Sequence, residues 1–219
     1  MKLRLKHHRY TWTKQFRLLA IVLLTIYLPA IFMIIYLKLK TGVSINSLTY
    51  NPISLLPVPY YYGFISKLGV LFWSLTTGIC LFAASVLAKP AVKKIVPFFF
   101  LASGLITLLL LADDFFLLHN IAVALFGWTT RNIYLGYGTL VVAHLLIFRK
   151  FWLQTEFLIL ICALIFFATS LVFDLLQNST HFYGRSFLED GAKFLGILSW
   201  FVYYTRVSFQ QVSSSIFYH

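Results

Sequence analysis

The side chains that could do chemistry in this sequence are few, and they fall together. Five of its six acidic residues, Asp113, Asp114, Asp174, Glu189 and Asp190, lie at the ends of apolar stretches that would share one side of a membrane. His119 follows the first two, and Lys193 follows the last two. Carboxylates with a histidine can bind a divalent metal and activate water. Oxygen-rich sets with one or two histidines suit zinc, manganese or calcium. The expectation is a site in which Asp113, His119 and Asp174 are metal ligands for one divalent ion such as zinc. Asp114 or Glu189 would act as general base, with Lys193 as a further catalytic group.

Each of these residues also has a plainer role. Ser186 and Glu189 have the spacing of a capping box. Asp190 in a first helical turn suits the helix dipole. Glu189 precedes Lys193 by four residues, the favourable order for an ion pair along one helix. Lys193 lies a turn inside its apolar stretch, so an acid from another segment is expected near it, from Asp113, Asp114 or Asp174. Asp174 alone in an apolar run reads equally as an interfacial acid or as a ligand or proton carrier. If residues 95–119 form one continuous helix, Asp113 and Asn120 share a face, while Asp114 and His119 diverge.

Composition fixes what must position these groups. The chain has 219 residues, 60% hydrophobic and only 11% charged. That charged share is far below the roughly 25% of a soluble domain. Mean hydropathy is +0.85. The expected fold is all-α: a polytopic, multi-pass membrane protein with a bundle of about six transmembrane helices. Spans of about 20 apolar residues fit near 18–37, 64–88, 95–119, 132–148, 152–176 and 187–205. A basic segment, 1–17, precedes a single helical domain at 18–206, and 207–219 reads as a polar, frayed tail. The turn between the fourth and fifth spans is very short, which makes those two helices expected antiparallel neighbours. The first span has no cleavage site after it and reads as uncleaved.

Twelve Lys and Arg fall on one side of these spans and five on the other. The excess places both termini in the cytoplasm. It also accounts for the net charge of +12 without nucleic acid as a partner. The expected location is an inner, plasma or thylakoid-type membrane, with membrane lipid and neighbouring membrane subunits as partners. The longest outer loop, 40–62, carries Pro52, Pro57 and Pro59 and then Tyr60, Tyr61 and Tyr62, a pattern for an interfacial aromatic belt or a lid. Cys80 and Cys162 lack the spacing of a metal or redox motif and read as packing residues. His144, near mid-span, reads as a hydrogen-bonded core histidine. Glu156 is the one acid on the other side, expected to pair with Arg149 or Lys150.

The acid–acid–histidine stretch at Asp113, Asp114 and His119, the acid Asp174 and the pair Glu189 and Lys193 resemble the membrane hydrolases related to alkaline ceramidases. That resemblance implies zinc chemistry on lipid amides. The late H-x-x-x-H pair of those seven-helix enzymes is absent here. Glu189 and Lys193 occupy the matching span, and the helix count differs. H-E-x-x-H, G-x-S-x-G, P-loop and C-x-x-C motifs are also missing. Three functions follow as expectations: a metal-dependent, lipid-directed hydrolase, a structural or accessory subunit of a larger membrane complex, or a proton- or cation-coupled transporter.

Overall fold

The computed structural model describes residues 63–217 apart from 90–91 and 176–184, and within the first 62 residues only Leu24, Leu28, Phe32, Ile35, Tyr36, Leu39 and Lys40. The side chains of 175, 185–187 and 216–217 also lie outside the described residues. The chain divides into two compact units, Met1–Tyr62 and Gly63–His219. In the first unit, the described residues from Leu28 onward are α-helical. The Phe32 and Tyr36 rings stack there at 6.3 Å, and the Lys40 ammonium lies 5.6 Å from the centre of the Tyr36 ring. The expected loop at 41–62, with its prolines and tyrosines, lies outside the described residues.

Among the described residues, the second unit has seven helices: α1 Phe64–Leu87, α2 Ile95–Phe116, α3 Leu118–Phe126, α4 Thr130–Ile147, α5 Arg149–Trp152, α6 Phe157–Leu175 and α7 Arg185–Phe217. No strand occurs among the described residues. Among the described residues, three helices, α1, α2 and α6, are long and apolar enough to cross a membrane.

The packing order is α6 on α7, α7 on α1, and α1 on α2. The reason lies in the face of α1. Its buried residues, Gly69, Trp73, Thr76, Thr77, Cys80, Ala83, Ala84 and Leu87, recur at three- and four-residue intervals. Most are small, so neighbouring backbones can approach. Several buried hydroxyls bond within their own helices: Thr76 donates to the Phe72 carbonyl at 2.7 Å, and Thr107 to the Ser103 carbonyl at 2.8 Å. Trp73, Trp200, Tyr203, Tyr204, Phe99 and Phe100 fill the centre.

Three expectations are corrected by this architecture. First, the third expected span is not one helix. Leu117 adopts φ 53°, which ends α2 and restarts the chain as α3. Second, the short link after α4 does not make α4 and α6 close neighbours; α6 packs against α7 instead. Third, 207–217 is no frayed tail. It continues α7, with Val207 fully buried.

Candidate functional site

The break at Leu117 builds the first half of the site. Asp113, in the last turn of α2, is buried at 5% exposure. Its Oδ1 accepts a hydrogen bond from the His119 backbone N–H at 2.7 Å, so the carboxylate satisfies an N–H in the first turn of α3. Its Oδ2 meets His119 Nδ1 at 2.9 Å. The Tyr137 hydroxyl of α4 donates to Oδ1 at 3.1 Å. Residues six apart on an unbroken helix point about 120° away from each other. The left-handed Leu117 removes that obstacle, and Asp113 and His119 turn back onto each other. Asn120, the expected face-mate of Asp113, is exposed.

In a neutral ring that donates Nδ1–H to this carboxylate, Nε2 is the nitrogen with the lone pair. The His119 side chain is 16% exposed, enough to be reached from outside. The Tyr134 ring lies beside it at 5.7 Å.

Asp114 serves a second network. Adjacent residues on a helix point about 100° apart, and Asp114 accordingly faces α1 and α7. Its Oδ1 accepts from Lys193 Nζ at 2.5 Å, and its Oδ2 from the Trp73 indole N–H at 2.9 Å. The acid expected near Lys193 is thus Asp114, and Lys193 reaches across to it rather than along α7 to Glu189. Trp73 lies nine residues into α1, about 14 Å along the helix axis. The three partners therefore tie the last turn of α2 to points more than a turn inside α1 and α7.

Asp174 and Glu189 are half-buried, and Asp190 is exposed. Among the described residues, no group of three or more His, Cys, Asp and Glu side chains is placed to hold a metal ion. Both Asp113 oxygens already accept hydrogen bonds, so Asp113 orients His119. The capping box at Ser186 sits inside a helix that begins at Arg185, and the Ser186 side chain lies outside the described residues. So does His181.

The core histidine expected at position 144 is found in a polar contact inside the bundle. Ser103 Oγ lies 3.0 Å from His144 Nε2, with both residues buried. Ser103 also lies 2.7 Å from the Phe99 carbonyl, and Phe99 stacks on the imidazole at 5.3 Å. His144 is therefore a hydrogen-bonded core residue. Tyr134 and Tyr137, three apart on one face of α4, had a readable spacing. Trp73 had none, beyond the general need of a buried indole N–H for a partner.

At the other end of the unit, Glu156 binds neither Arg149 nor Lys150. Its Oε1 accepts from Arg206 Nη2 at 2.6 Å and from Gln210 at 2.9 Å, and its Oε2 accepts from Arg206 Nε. The reason is the extension of α7, which brings Arg206 and Gln210 beside the start of α6. The hydrogen bonds from Arg206 hold the Glu156 carboxyl below its ordinary range, against a smaller opposing desolvation. The same bonds raise the Arg206 guanidinium above its own.

No curated protein and no solved structure matches the chain. A family model does match it over residues 16–207, most of its length, and the chain belongs to that family, described as Domain of unknown function (DUF8692).

Proposed function

We propose that this chain is a multi-pass membrane protein whose Asp113–His119 pair moves protons for a hydrolytic reaction on a lipid ester or amide. The observation that carries the reading is the 2.9 Å contact of Asp113 Oδ2 with His119 Nδ1, which leaves Nε2 as a base. A histidine oriented in this way can take a proton from water as that water attacks a carbonyl, and return it to the leaving group. His119 would be the catalytic residue, Asp113 and Tyr137 would position it, and Asp114 and Lys193 would hold the helices around it.

The lipid assignment rests on the surroundings. Phe115, Phe116, Leu117 and Ile121 are all exposed large apolar side chains beside the pair. A water-soluble protein rarely displays such a continuous apolar patch. Helices α1, α2 and α6 have the length and composition to cross a bilayer.

The test is turnover of a panel of phospholipids and lipid amides by the purified full chain in nanodiscs, followed by mass spectrometry. Loss of the general base lowers turnover by about 100-fold or more, so His119→Gln should fall that far while keeping its thermal stability. Wild-type protein that consumes no panel member, or His119→Gln turnover equal to wild type, overturns the reading.

A second reading has its own support. Asp114, Lys193 and Trp73 join three helices in one polar knot, as an accessory subunit needs. Under that reading Asp114→Asn impairs assembly and no lipid is consumed.

A further inference from the structure

A partly open cavity of about 570 Å3 lies between the end of α4 and the segment that follows it, the start of α2, and Gln211 of α7. It lies at the opposite end of α2 from Asp113. Lys93, Arg149 and Lys150 line it, and no carboxylate does. The three cations come from two separate stretches of chain. Their convergence is therefore a product of the fold and not of one basic run.

Glu156, the acid nearest in sequence, is occupied by Arg206 and Gln210. Among the described residues no carboxylate lies within ion-pair distance of Lys93, Arg149 or Lys150. Clustered cations without counter-charge repel one another, and an anion relieves that repulsion. The neutral amides of Gln154 and Gln211 also line the cavity and can donate to an oxyanion. The neighbouring first turn of α2 has no side-chain cap, so its dipole adds to the positive field.

The walls say more about the ligand. Val96 and Phe148 form a buried floor, while Ile95 and Ile147 at the edge are exposed. Cations and apolar side chains that line one cavity match an anionic head joined to a hydrocarbon tail. Basic pockets between helices on the cytoplasmic side of membrane proteins have this character. The charge distribution of the sequence assigns this end to the cytoplasm.

We propose that this cavity binds a phosphate group, carried by an anionic lipid headgroup or by a soluble phosphate anion. Arg149 supplies the planar fork suited to two phosphate oxygens, and Lys93 and Lys150 supply point charges around it. The proposal is independent of the Asp113–His119 chemistry.

The test uses the full chain in phosphatidylcholine nanodiscs, titrated with dihexanoyl phosphatidic acid and, separately, with inorganic phosphate. Removing charge-assisted hydrogen bonds costs about tenfold or more in affinity, so Arg149→Gln with Lys150→Gln should weaken binding at least that much. Lys89→Gln with Lys94→Gln removes equal charge from the same end outside the cavity and should change affinity less than about twofold, since screened surface charges contribute little. Lys93→Gln, from the separate stretch of chain before α2, is a second variant that should weaken binding several-fold even where the double variant fails to fold. Binding of the phosphatidic acid alone identifies a lipid headgroup. Binding of inorganic phosphate with the same dependence on Arg149 and Lys150 identifies a soluble anion, and either result supports the site. No binding of either probe, or equal losses in the two double variants, overturns it.

Discussion

Gly196 offers the sharpest test of how the bundle supports its polar site. A Cβ added there meets the Phe167 ring at 2.7 Å, closer than any real side chain sits. The ring has little room to retreat. It stacks on Trp73 at 5.7 Å and meets Trp200 edge-on at 6.0 Å. Overpacking of this kind costs about 1–3 kcal/mol, while replacing glycine by alanine in a helix returns at most about 1 kcal/mol. The clash wins, and Gly196→Ala should lose about 1–2 kcal/mol. Gly191, five residues earlier on the same helix, has nothing within 4 Å of the added atom. There only the helix propensity acts, and Gly191→Ala should gain up to about 1 kcal/mol.

For a chain of this size 1 kcal/mol corresponds to about 2–4 °C in Tm. Thermal unfolding in one detergent at one scan rate should therefore move the two variants in opposite directions. Phe167 also backs Trp73, whose indole holds Asp114. Gly196→Ala should accordingly disturb tryptophan emission, and Gly191→Ala should leave it unchanged. Equal Tm shifts, or a more stable Gly196→Ala, would refute the close approach of α6 and α7 at this point.

Three further outcomes are expected. A double-mutant cycle of Asp114→Asn with Lys193→Met should show a coupling of about 1–2 kcal/mol, below the 3–5 kcal/mol lost on breaking a fully buried pair, because Lys193 is 45% exposed; strict additivity of the two Tm shifts would disprove the contact. Glu156, held below its ordinary value of 4.5 by Arg206, should stabilise the protein above that pH and lose the contribution as pH falls through its lowered value. The Tm advantage of wild type over Glu156→Gln should thus be full near neutrality and vanish in acid, and an advantage independent of pH would contradict it. Leu117→Gly should relieve a left-handed backbone that costs a non-glycine residue about 1–2 kcal/mol, leaving Tm equal or higher, whereas Leu117→Ile should lower it; the reverse order would argue against the break between α2 and α3.

Much of the helical frame was legible because apolar runs of span length have few other uses. The need of Lys193 for an acid from another helix was legible too, since a cation a turn inside an apolar stretch requires a partner. Which of three acids met it depended on the rotation of α2, and no pattern along the chain encodes that. The Asp113–His119 pair was hidden for a different reason. The sequence around Leu117 contains neither glycine nor proline, so nothing local announces the left-handed residue that joins the two. Glu156 misled through proximity: Arg149 and Lys150 are near in sequence, but Arg206, 50 residues away, arrives by the extension of α7. That extension had a signal. Tyr203, Tyr204, Val207 and Val212 keep the helical interval beneath a run of serines that draws the eye.

The two neighbouring aspartates explain why one short stretch can serve both stability and chemistry. Adjacent helical residues point to different neighbours, so Asp113 and Asp114 never compete for a partner. Asp114 is held between two helices that the bundle packs firmly, α1 and α7. Asp113 turns instead toward α3 and α4, which touch the rest of the unit lightly. A group meant only to secure the fold gains most from firmly packed partners. A group meant to meet a substrate gains from the reverse, because elements with few contacts open at low free-energy cost. The division between the two carboxylates therefore favours a working role for His119 and a holding role for Lys193. Under the proposed lipid-directed reading, a lipid chain against the exposed Phe115 and Phe116 would bring its polar linkage to the more lightly packed side of the site.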